Sequence, residues 1–208
     1  MPGHDRPSLF YRLVVLTAKP LMYGLYRLKV DGLKNIPASG GFVLSANHVS
    51  NFDPWPLGVG LGDRHYLRHM AKSELYWWPL RYVVDAGGGF PVRRGESDTV
   101  ALQTAVELAR RGDVVVMFPE GTRRKKGMRK RHQARAHTGA ARIALEAGVP
   151  LVPAAIAGTD RLARLGPVRV RYGAPIETDD LQELAPHEAA RVATDRLMDA
   201  IERLEDEL

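Results

Sequence analysis

Short apolar runs recur along this chain of 208 residues and constrain its fold more than any other feature. Residues 41–46, 114–118 and 151–157 each have the length of one strand and are too short for an ordinary helix. Residues 66–70 and 168–172 are predicted as two further strands. Continuous apolar strands are typical of sheets that helices cover on both faces. The pattern therefore predicts an α/β fold: a single layered domain with a central mixed sheet flanked by helices.

Start and stop residues mark the helices between these strands. Helices are expected over residues 54–60, from Ser97 or Asp98 to Arg111, over 138–147 and over 187–208. Gly112 and Gly148 stand where helix-ending glycines are common. The last helix repeats apolar side chains at spacings of three and four and is expected to pack on the body of the domain. The glycine-rich residues 87–90 are predicted as a turn.

The N-terminal region is apolar and aromatic over residues 9–30, but Arg12, Lys19 and Arg27 interrupt it. A membrane-spanning helix needs about 20 predominantly apolar residues, and a signal peptide needs a compact apolar region with a small-residue cleavage site. Neither pattern is present. We therefore expect an N-terminal amphipathic, membrane-associating helical segment at residues 1–30, followed by a second unit at 31–208. The alternative is an N-terminal helix that packs on the core and leaves its basic residues in solvent.

Composition excludes some classes of chemistry but does not identify one function. The chain has no cysteine, which excludes disulfides, thiolate catalysis and zinc-thiolate sites. Its formal net charge is +6, which favours an anionic partner. Nucleic acid, an anionic membrane surface, and a phosphorylated substrate with an acidic carrier all satisfy that condition.

A histidine and an aspartate follow the first buried strand. His48 lies directly after residues 41–46, and Asp53 lies five residues further on. Histidine is the side chain best suited to accept a proton near pH 7, and a carboxylate on its second nitrogen would fix the tautomer. The alternative is structural: Asp53 before Pro54 is an ordinary helix start, with His48 as an interior histidine. No cluster of metal-ligating side chains completes a metal site in the sequence.

The nucleophile of a hydrolase triad is missing from this pattern. Ser45 and Ser50 are close in sequence, but neither stands in a Gly-x-Ser-x-Gly elbow. A histidine–carboxylate pair without its own nucleophile indicates that the substrate supplies the hydroxyl. The expected reaction is then direct acyl transfer with no acyl-enzyme.

Two further segments carry groups that suit an anionic ligand. Residues 118–123 follow a buried strand, with Glu120 able to orient a polar acceptor and Gly121 allowing close backbone approach. Arg123 offers a planar fork for phosphate. Glycines and paired arginines in residues 87–95 also suit an anion, although they lack the phosphate-loop lysine pattern.

Four blocks in order make the chain resemble the glycerolipid acyltransferase family, especially 1-acylglycerol-3-phosphate acyltransferases. They are His48-x4-Asp53, Phe90-Pro91-Val92-Arg93, Phe118-Pro119-Glu120-Gly121-Thr122-Arg123 and Val149-Pro150-Leu151-Val152-Pro153. The resemblance covers about residues 30–176. The chain departs from many relatives at His137-Thr138-Gly139, where they carry a lysine shortly before the glycine.

The resemblance implies roles for these residues. His48 would deprotonate the acceptor hydroxyl and Asp53 would orient His48. The second and third blocks would bind the acceptor, through Arg93, Arg94, Glu120, Gly121, Thr122 and Arg123. The arginines would contact phosphate, and the spacing from Phe90 favours Arg93 over Arg94. The fourth block is associated with the acyl-donor side or with the shape of the site.

The implied activity is acyl transfer from acyl-CoA or acyl-carrier-protein to the sn-2 hydroxyl of 1-acylglycerol-3-phosphate, without metal or other cofactor, at the cytoplasmic face of the cell membrane. Another lyso-lipid, such as lyso-ornithine lipid, is the alternative acceptor. A non-catalytic basic module that binds membranes or nucleic acid is a third hypothesis. Residues 123–135 contain eight Lys or Arg and no acid, which suits anionic lipid or an acidic carrier protein. They lack the aromatic interleaving of a nucleic-acid site, so no nucleic-acid partner is expected.

Overall fold

One mixed sheet organises the chain. The computed structural model describes residues 9–62, 65–72, 76–92, 98–121 and 136–208, and within them seven strands pair in the order β1-β7-β6-β2-β5-β3-β4. The strands are β1 (Lys29–Asp31), β2 (Phe42–Ala46), β3 (Leu67–Lys72), β4 (Gly89–Val92), β5 (Val114–Met117), β6 (Leu151–Ala157) and β7 (Arg169–Tyr172). The predicted α/β fold with a mixed sheet flanked by helices is confirmed.

Strand direction brings several strand ends to one edge of the sheet. Each neighbouring pair in the series β6-β2-β5-β3-β4 is parallel, whereas β7 runs antiparallel to β6 and β1 runs with β7. Ser45 on β2 is in register with Met117 on β5 and with Pro153 on β6. Loops that leave the carboxyl ends of β2, β5 and β6 therefore start side by side, at the edge where α/β sheets bind their ligands.

Helices cover both faces of the sheet. The α-helices are α1 (Leu9–Pro20), α2 (Pro54–Leu61), α3 (Leu80–Ala86), α4 (Asp98–Arg110), α5 (Gly139–Ala147) and α6 (Pro186–Asp206). One turn of π-helix, Leu21–Leu25, extends α1, and short 3-10 turns lie at Leu33–Asn35, Thr159–Arg164 and Asp179–Leu181.

Successive residues of β2 point to opposite faces and so belong to two separate cores. Phe42, Leu44 and Ala46 pack with side chains of α1 and α2. Val43 packs on the other face with side chains of α4, α5 and α6. Strand β2 is completely buried between these two layers, which is why its sequence is apolar at nearly every position.

The glycine-rich stretch differs from its prediction. Residues 87–88 form a turn, but Gly89–Val92 form the edge strand β4. A Cβ on Gly89 would lie 2.5 Å from Cγ1 of Val84, so only glycine permits this close packing of α3 on the strand. Because this packing requires glycine, position 89 lacks the kind of side chain that would have indicated a strand in the sequence. Strand β1 and helix α3 were not predicted either.

The N-terminal helix has two apolar faces. Tyr11, Val15 and Ala18 are buried against the body, whereas Leu13 and Leu16 are 54% and 65% exposed. One face therefore packs on the core and the other faces outward, and contact of the outward face with a membrane stays a prediction. Within the described ranges, no helix combines the length and the hydropathy needed to cross a membrane. The division at residue 30 stays a prediction.

Candidate active site

Three loops meet at the carboxyl edge of the sheet. The first follows β2 and carries Asn47, His48 and Asp53, the second follows β5, and the third follows β6. The shared register of β2, β5 and β6 brings these loops together, although they are distant in sequence. Their side chains form a hydrogen-bonded and stacked cluster around His48.

His48 and Asp53 form a hydrogen-bonded pair. Nδ1 of His48 lies 2.8 Å from Oδ2 of Asp53. The Asp53 side chain is completely buried, and the His48 side chain is 17% exposed. Because an ionised carboxylate only accepts hydrogen bonds, Nδ1 of the neutral imidazole carries the proton. Nε2 is then the nitrogen with a free lone pair, so the ring is in the tautomer that a general base requires.

Asp53 occupies the N-cap position of the helix that follows it, but its side chain has other partners. It immediately precedes Pro54 at the start of α2, but its carboxylate makes no capping hydrogen bond to that helix. Oδ2 instead accepts the backbone N–H groups of Val49 at 2.8 Å and Ser50 at 2.9 Å, in addition to His48. The helix therefore starts where the alternative interpretation places it, with Asp53 before Pro54, but the carboxylate turns back onto its own loop and does not cap the helix.

Strand β6 and the loop after it supply two contacts that sequence reasoning missed. The Thr159 hydroxyl donates to Oδ1 of Asp53 at 2.5 Å. The Asn47 side chain donates to the Ile156 carbonyl at 2.9 Å and accepts the Ile156 N–H at 2.8 Å. A polar residue just past a buried strand is the pattern that had singled out His48, and Thr159 fits it as well.

Phe118, at the end of β5, covers one face of the His48 ring. The two ring centroids are 4.1 Å apart and the planes differ by 19°, which is a stacked arrangement. This contact limits rotation of the imidazole and excludes water from that face. It also brings the third sequence block, which begins at Phe118, next to His48.

The third block turns sharply after Phe118. Gly121 has a φ of +68°, and its N–H donates to the Phe118 carbonyl at 3.0 Å. A Cβ at this position would lie 2.5 Å from two atoms of the His137 ring. The glycine is therefore required both by its backbone conformation and by the close approach of His137. Glu120, just before it, is buried at the same edge.

His137 was noted in the sequence only as a departure from relatives. Its backbone N–H donates to the Pro119 carbonyl at 2.8 Å, which ties the start of the α5 segment to the third block. Its packing over Gly121 makes it part of the site's framework.

Neither nearby serine is arranged as a nucleophile. The Ser45 hydroxyl is completely buried within the sheet and has no hydrogen-bond partner in the structure. The Ser50 hydroxyl accepts the N–H of Phe52 at 3.3 Å. Among the described residues, the hydrogen-bond partner of the His48 ring is Asp53 and not a hydroxyl. The arrangement can therefore remove a proton from an external alcohol.

The structure brings together His48, Asp53, Glu120 and Gly121 of the predicted site. The other predicted site residues, Arg93, Arg94, Thr122 and Arg123, lie outside the described residues, as does the basic stretch 123–135. The strand preceding the arginine pair, β4, ends at Val92 on the same edge of the sheet as His48.

Comparison with known proteins identifies a family and several relatives that share one name. The Acyltransferase family model matches residues 27–157. The chain is 31% identical over 186 residues to the 1-acyl-sn-glycerol-3-phosphate acyltransferase of Bacillus subtilis, covering 87% of this chain and 89% of the relative. It is 28% identical over 182 residues to the Salmonella typhimurium protein of the same name, covering 78% and 71%.

A solved structure agrees with these sequence matches. The crystal structure of the 1-acyl-sn-glycerophosphate (LPA) acyltransferase PlsC from Thermotoga maritima superposes with a TM-score of 0.66 at 26% identity. The match covers 93% of this chain and 78% of that chain.

Proposed function

The chain belongs to the Acyltransferase family, and we propose from this that it transfers a fatty-acyl group from a thioester donor to the sn-2 hydroxyl of 1-acyl-sn-glycerol 3-phosphate, with His48 as general base. The product is phosphatidic acid. The observation that carries the proposal is the 2.8 Å hydrogen bond between His48 and the buried Asp53 at the carboxyl edge of the sheet. It provides an oriented base in a chain whose relatives carry this activity in their names.

The chemistry requires one proton transfer and one substitution at carbon. Nε2 of His48 removes the proton of the acceptor hydroxyl while the oxygen bonds to the thioester carbonyl carbon. The C–S bond then breaks, and the departing thiolate receives the proton from the His48 imidazolium. Asp53 stabilises that imidazolium through Nδ1, and base catalysis of this kind contributes about 10²–10⁴-fold. No step of this reaction requires a cofactor.

Direct transfer follows from the placement of the hydroxyl groups. Ser45 is buried and the Ser50 hydroxyl is engaged with the backbone, so within the described ranges neither nearby serine is placed as a nucleophile beside the pair. The donor and the acceptor must then be bound together. Holding both in line supplies much of the remaining rate enhancement, because it replaces a collision of two molecules by a reaction within one complex.

The acceptor phosphate is assigned to the second and third blocks. Glu120 and Gly121 lie two and three residues beyond Phe118, whose ring stacks on His48. An acceptor held there would present its hydroxyl close to Nε2. We assign Thr122 and the guanidinium groups of Arg93, Arg94 and Arg123 to the same role, since guanidinium binds phosphate with two parallel hydrogen bonds.

The donor is acyl-CoA or acyl-carrier-protein, since both present the acyl group as a thioester. The eight basic residues of 123–135 support binding of an acidic carrier or of anionic lipid.

A peripheral position at the cytoplasmic membrane surface fits the exposed apolar side chains. We call the outward leucines of α1 (Leu9, Leu13 and Leu16), together with Trp77, Trp78 and Tyr82, the outer apolar surface. Helix α3, which carries Tyr82, contacts α1. Tryptophan and tyrosine favour the boundary between lipid and water, and an apolar helix face of this kind lies in that boundary. The lysophospholipid acceptor is itself a membrane lipid.

His48→Ala tests the proposed base. We expect kcat for phosphatidic acid formation to fall by about 10²–10⁴-fold, the contribution of a positioned general base. Formation of labelled phosphatidic acid from 1-acylglycerol-3-phosphate is measured with acyl-CoA and, separately, with acyl-carrier-protein. His187→Ala changes an exposed histidine on α6 and should retain the parent rate. Near-normal turnover by His48→Ala with either donor would exclude His48 as the base.

A further inference from the structure

We infer that Thr159 is a positioning residue for this reaction: its hydroxyl fixes the rotation of the Asp53 carboxylate and thereby the orientation of His48. The inference rests on the proposed function and adds to it a residue outside the four sequence blocks. Thr159 lies on the loop after β6, 106 residues from Asp53 in sequence.

The contact between Thr159 and Asp53 is short and shielded from water. Oγ1 of Thr159 lies 2.5 Å from Oδ1 of Asp53, and the two residues are 2% and 0% exposed. A hydroxyl that donates to an ionised carboxylate forms one of the stronger hydrogen bonds in proteins. Little water is available here to replace the threonine hydroxyl.

The two carboxylate oxygens have separate sets of donors. Oδ2 accepts from Nδ1 of His48 and from the N–H groups of Val49 and Ser50, all within its own loop. Oδ1 accepts from Thr159, on a different loop. The local donors hold one oxygen, and Thr159 holds the other, so rotation about the carboxylate bond is fixed from both sides. Without Thr159, Oδ1 would be buried without this donor, and turning to find another would move Oδ2 away from His48.

The fold places Thr159 by two devices. The paired hydrogen bonds between Asn47 and the backbone of Ile156 hold β6 against the start of the His48 loop. Gly158 then has a φ of +91°, and a Cβ on it would lie 2.2 Å from the Pro167 carbonyl oxygen. This tight turn directs the next residue, Thr159, back towards Asp53. Asn47 precedes His48 directly, so the His48 loop is attached at Asn47 to β6 and at Asp53 to the turn that follows β6.

A positioning role and a merely structural role predict different measurements. Loss of a buried hydrogen bond lowers the stability of the protein whichever role is correct. A structural role alone would leave kcat of the folded enzyme and the environment of His48 unchanged. A positioning role lowers kcat at nearly constant KM, because the base is misplaced while the substrate sites remain.

The test is a graded series at position 159. Thr159→Val keeps the shape and removes the donor, Thr159→Ser keeps the donor, and Thr159→Cys offers a weaker one. We expect kcat to fall by about 10- to 100-fold in Thr159→Val, the range produced by a small misplacement of a catalytic group. Thr159→Ser should stay close to the parent and Thr159→Cys should lie between them, with KM for both substrates little changed.

Thr194→Val is the matched control. Thr194 is also a buried threonine, 3% exposed, and its hydroxyl donates to the Ala190 carbonyl at 2.7 Å within α6. Its replacement removes an equivalent buried hydrogen bond away from the His48 loop. We expect a loss of stability with kcat unchanged, when each variant is assayed well below its own unfolding temperature.

A second readout does not depend on turnover. The Nδ1 proton of His48, identified by its absence in His48→Ala, should give a downfield NMR resonance because it is bound to a carboxylate. We expect this resonance to move or broaden in Thr159→Val and to persist in Thr159→Ser and Thr194→Val. If Thr159→Val does not fold, the comparison of Thr159→Cys with Thr159→Ser decides by the same two readouts.

The outcomes separate the two proposals. Parent-like kcat and an unchanged His48 resonance in Thr159→Val, or failure of serine to restore either, would overturn the role of Thr159 alone. An inactive parent, or an active His48→Ala, would overturn the proposed function instead.

Discussion

Asp53 accepts four hydrogen bonds from two loops, three at Oδ2 and one at Oδ1. The backbone N–H groups of Val49 and Ser50 compensate its burial, since an isolated buried charge is strongly unfavourable. Thr159 completes the set. The remaining donor, His48, therefore meets a carboxylate whose position the surrounding protein has already fixed, which is the condition for a preorganised base.

His69 on β3 makes the stability of the protein depend on pH. Burial, with a smaller contribution from the neighbouring Arg68, lowers its pKa from 6.5 to about 4. Nδ1 of His69 has no hydrogen-bond partner among the residues that the structure describes. Between these two pKa values the unfolded chain binds a proton that the folded chain does not. The contribution of His69 to the free energy of unfolding is therefore fully present above pH 6.5 and is lost as the pH falls towards 4.

We expect this histidine to remove about 2 kcal/mol of unfolding free energy between pH 7 and pH 5. Urea unfolding of the parent and of His69→Gln at both pH values measures the effect. The variant should lose less stability on acidification than the parent, and His187→Gln, at an exposed position, should behave as the parent does. Equal losses in the parent and in His69→Gln would contradict the prediction.

Helix α6 shows how an element is held without contributing to the chemistry. Its predicted apolar stripe packs against β6 and α5. Ala190, Ala193, Leu197 and Ile201 are buried, whereas Leu204 and Leu208 near its end are only partly buried. The helix thus supports the strand that precedes Thr159, from the face opposite α1 and α2.

Leu197→Ala is expected to lower the unfolding free energy by about 2–5 kcal/mol, because it leaves a cavity between α6 and the sheet. Chemical denaturation measures this loss. Glu202→Ala, at an exposed position of the same helix, should change stability by less than about 0.5 kcal/mol. The activity per folded molecule should be unaffected in both variants. A loss in Leu197→Ala no larger than that in Glu202→Ala would mean that α6 does not pack as described.

The whole molecule combines a net charge of +6 with the outer apolar surface. Charge attracts an anionic bilayer over a distance, and exposed leucine and tryptophan side chains insert only after contact. The two contributions differ in salt dependence, because salt screens the first and leaves the second largely intact.

We expect the full chain to sediment with vesicles of phosphatidylcholine and phosphatidylglycerol. The double variant Leu13→Ser/Leu16→Ser should bind at least about tenfold more weakly, since each leucine contributes about 1.5 kcal/mol or more on burial. Leu184→Ser, a half-exposed leucine before α6, is the control and should bind like the parent. Equal sedimentation of the double variant and the parent would exclude α1 as the contact.

Local sequence was sufficient for the fold class, for most helices and for the pairing of His48 with Asp53. Apolar runs predicted strands because burial on both faces leaves no polar positions, as in β2. Gly148 predicted the end of α5 and has the left-handed conformation that such a position requires. His48 and Asp53 were paired correctly because they share one short loop, and the few residues between them keep the two side chains close.

Contacts between distant segments depended on the assembled sheet. Thr159 and Asn47 meet partners 106 and 109 residues away, and no local pattern specifies which strand lies beside β2. The order and register of the strands in the sheet determine those partners. Strand β4 also depended on the sheet, because it forms by pairing with β3, and the two apolar faces of α1 look alike in sequence. Periodicity records that a side chain is apolar, but packing decides whether protein or solvent covers it.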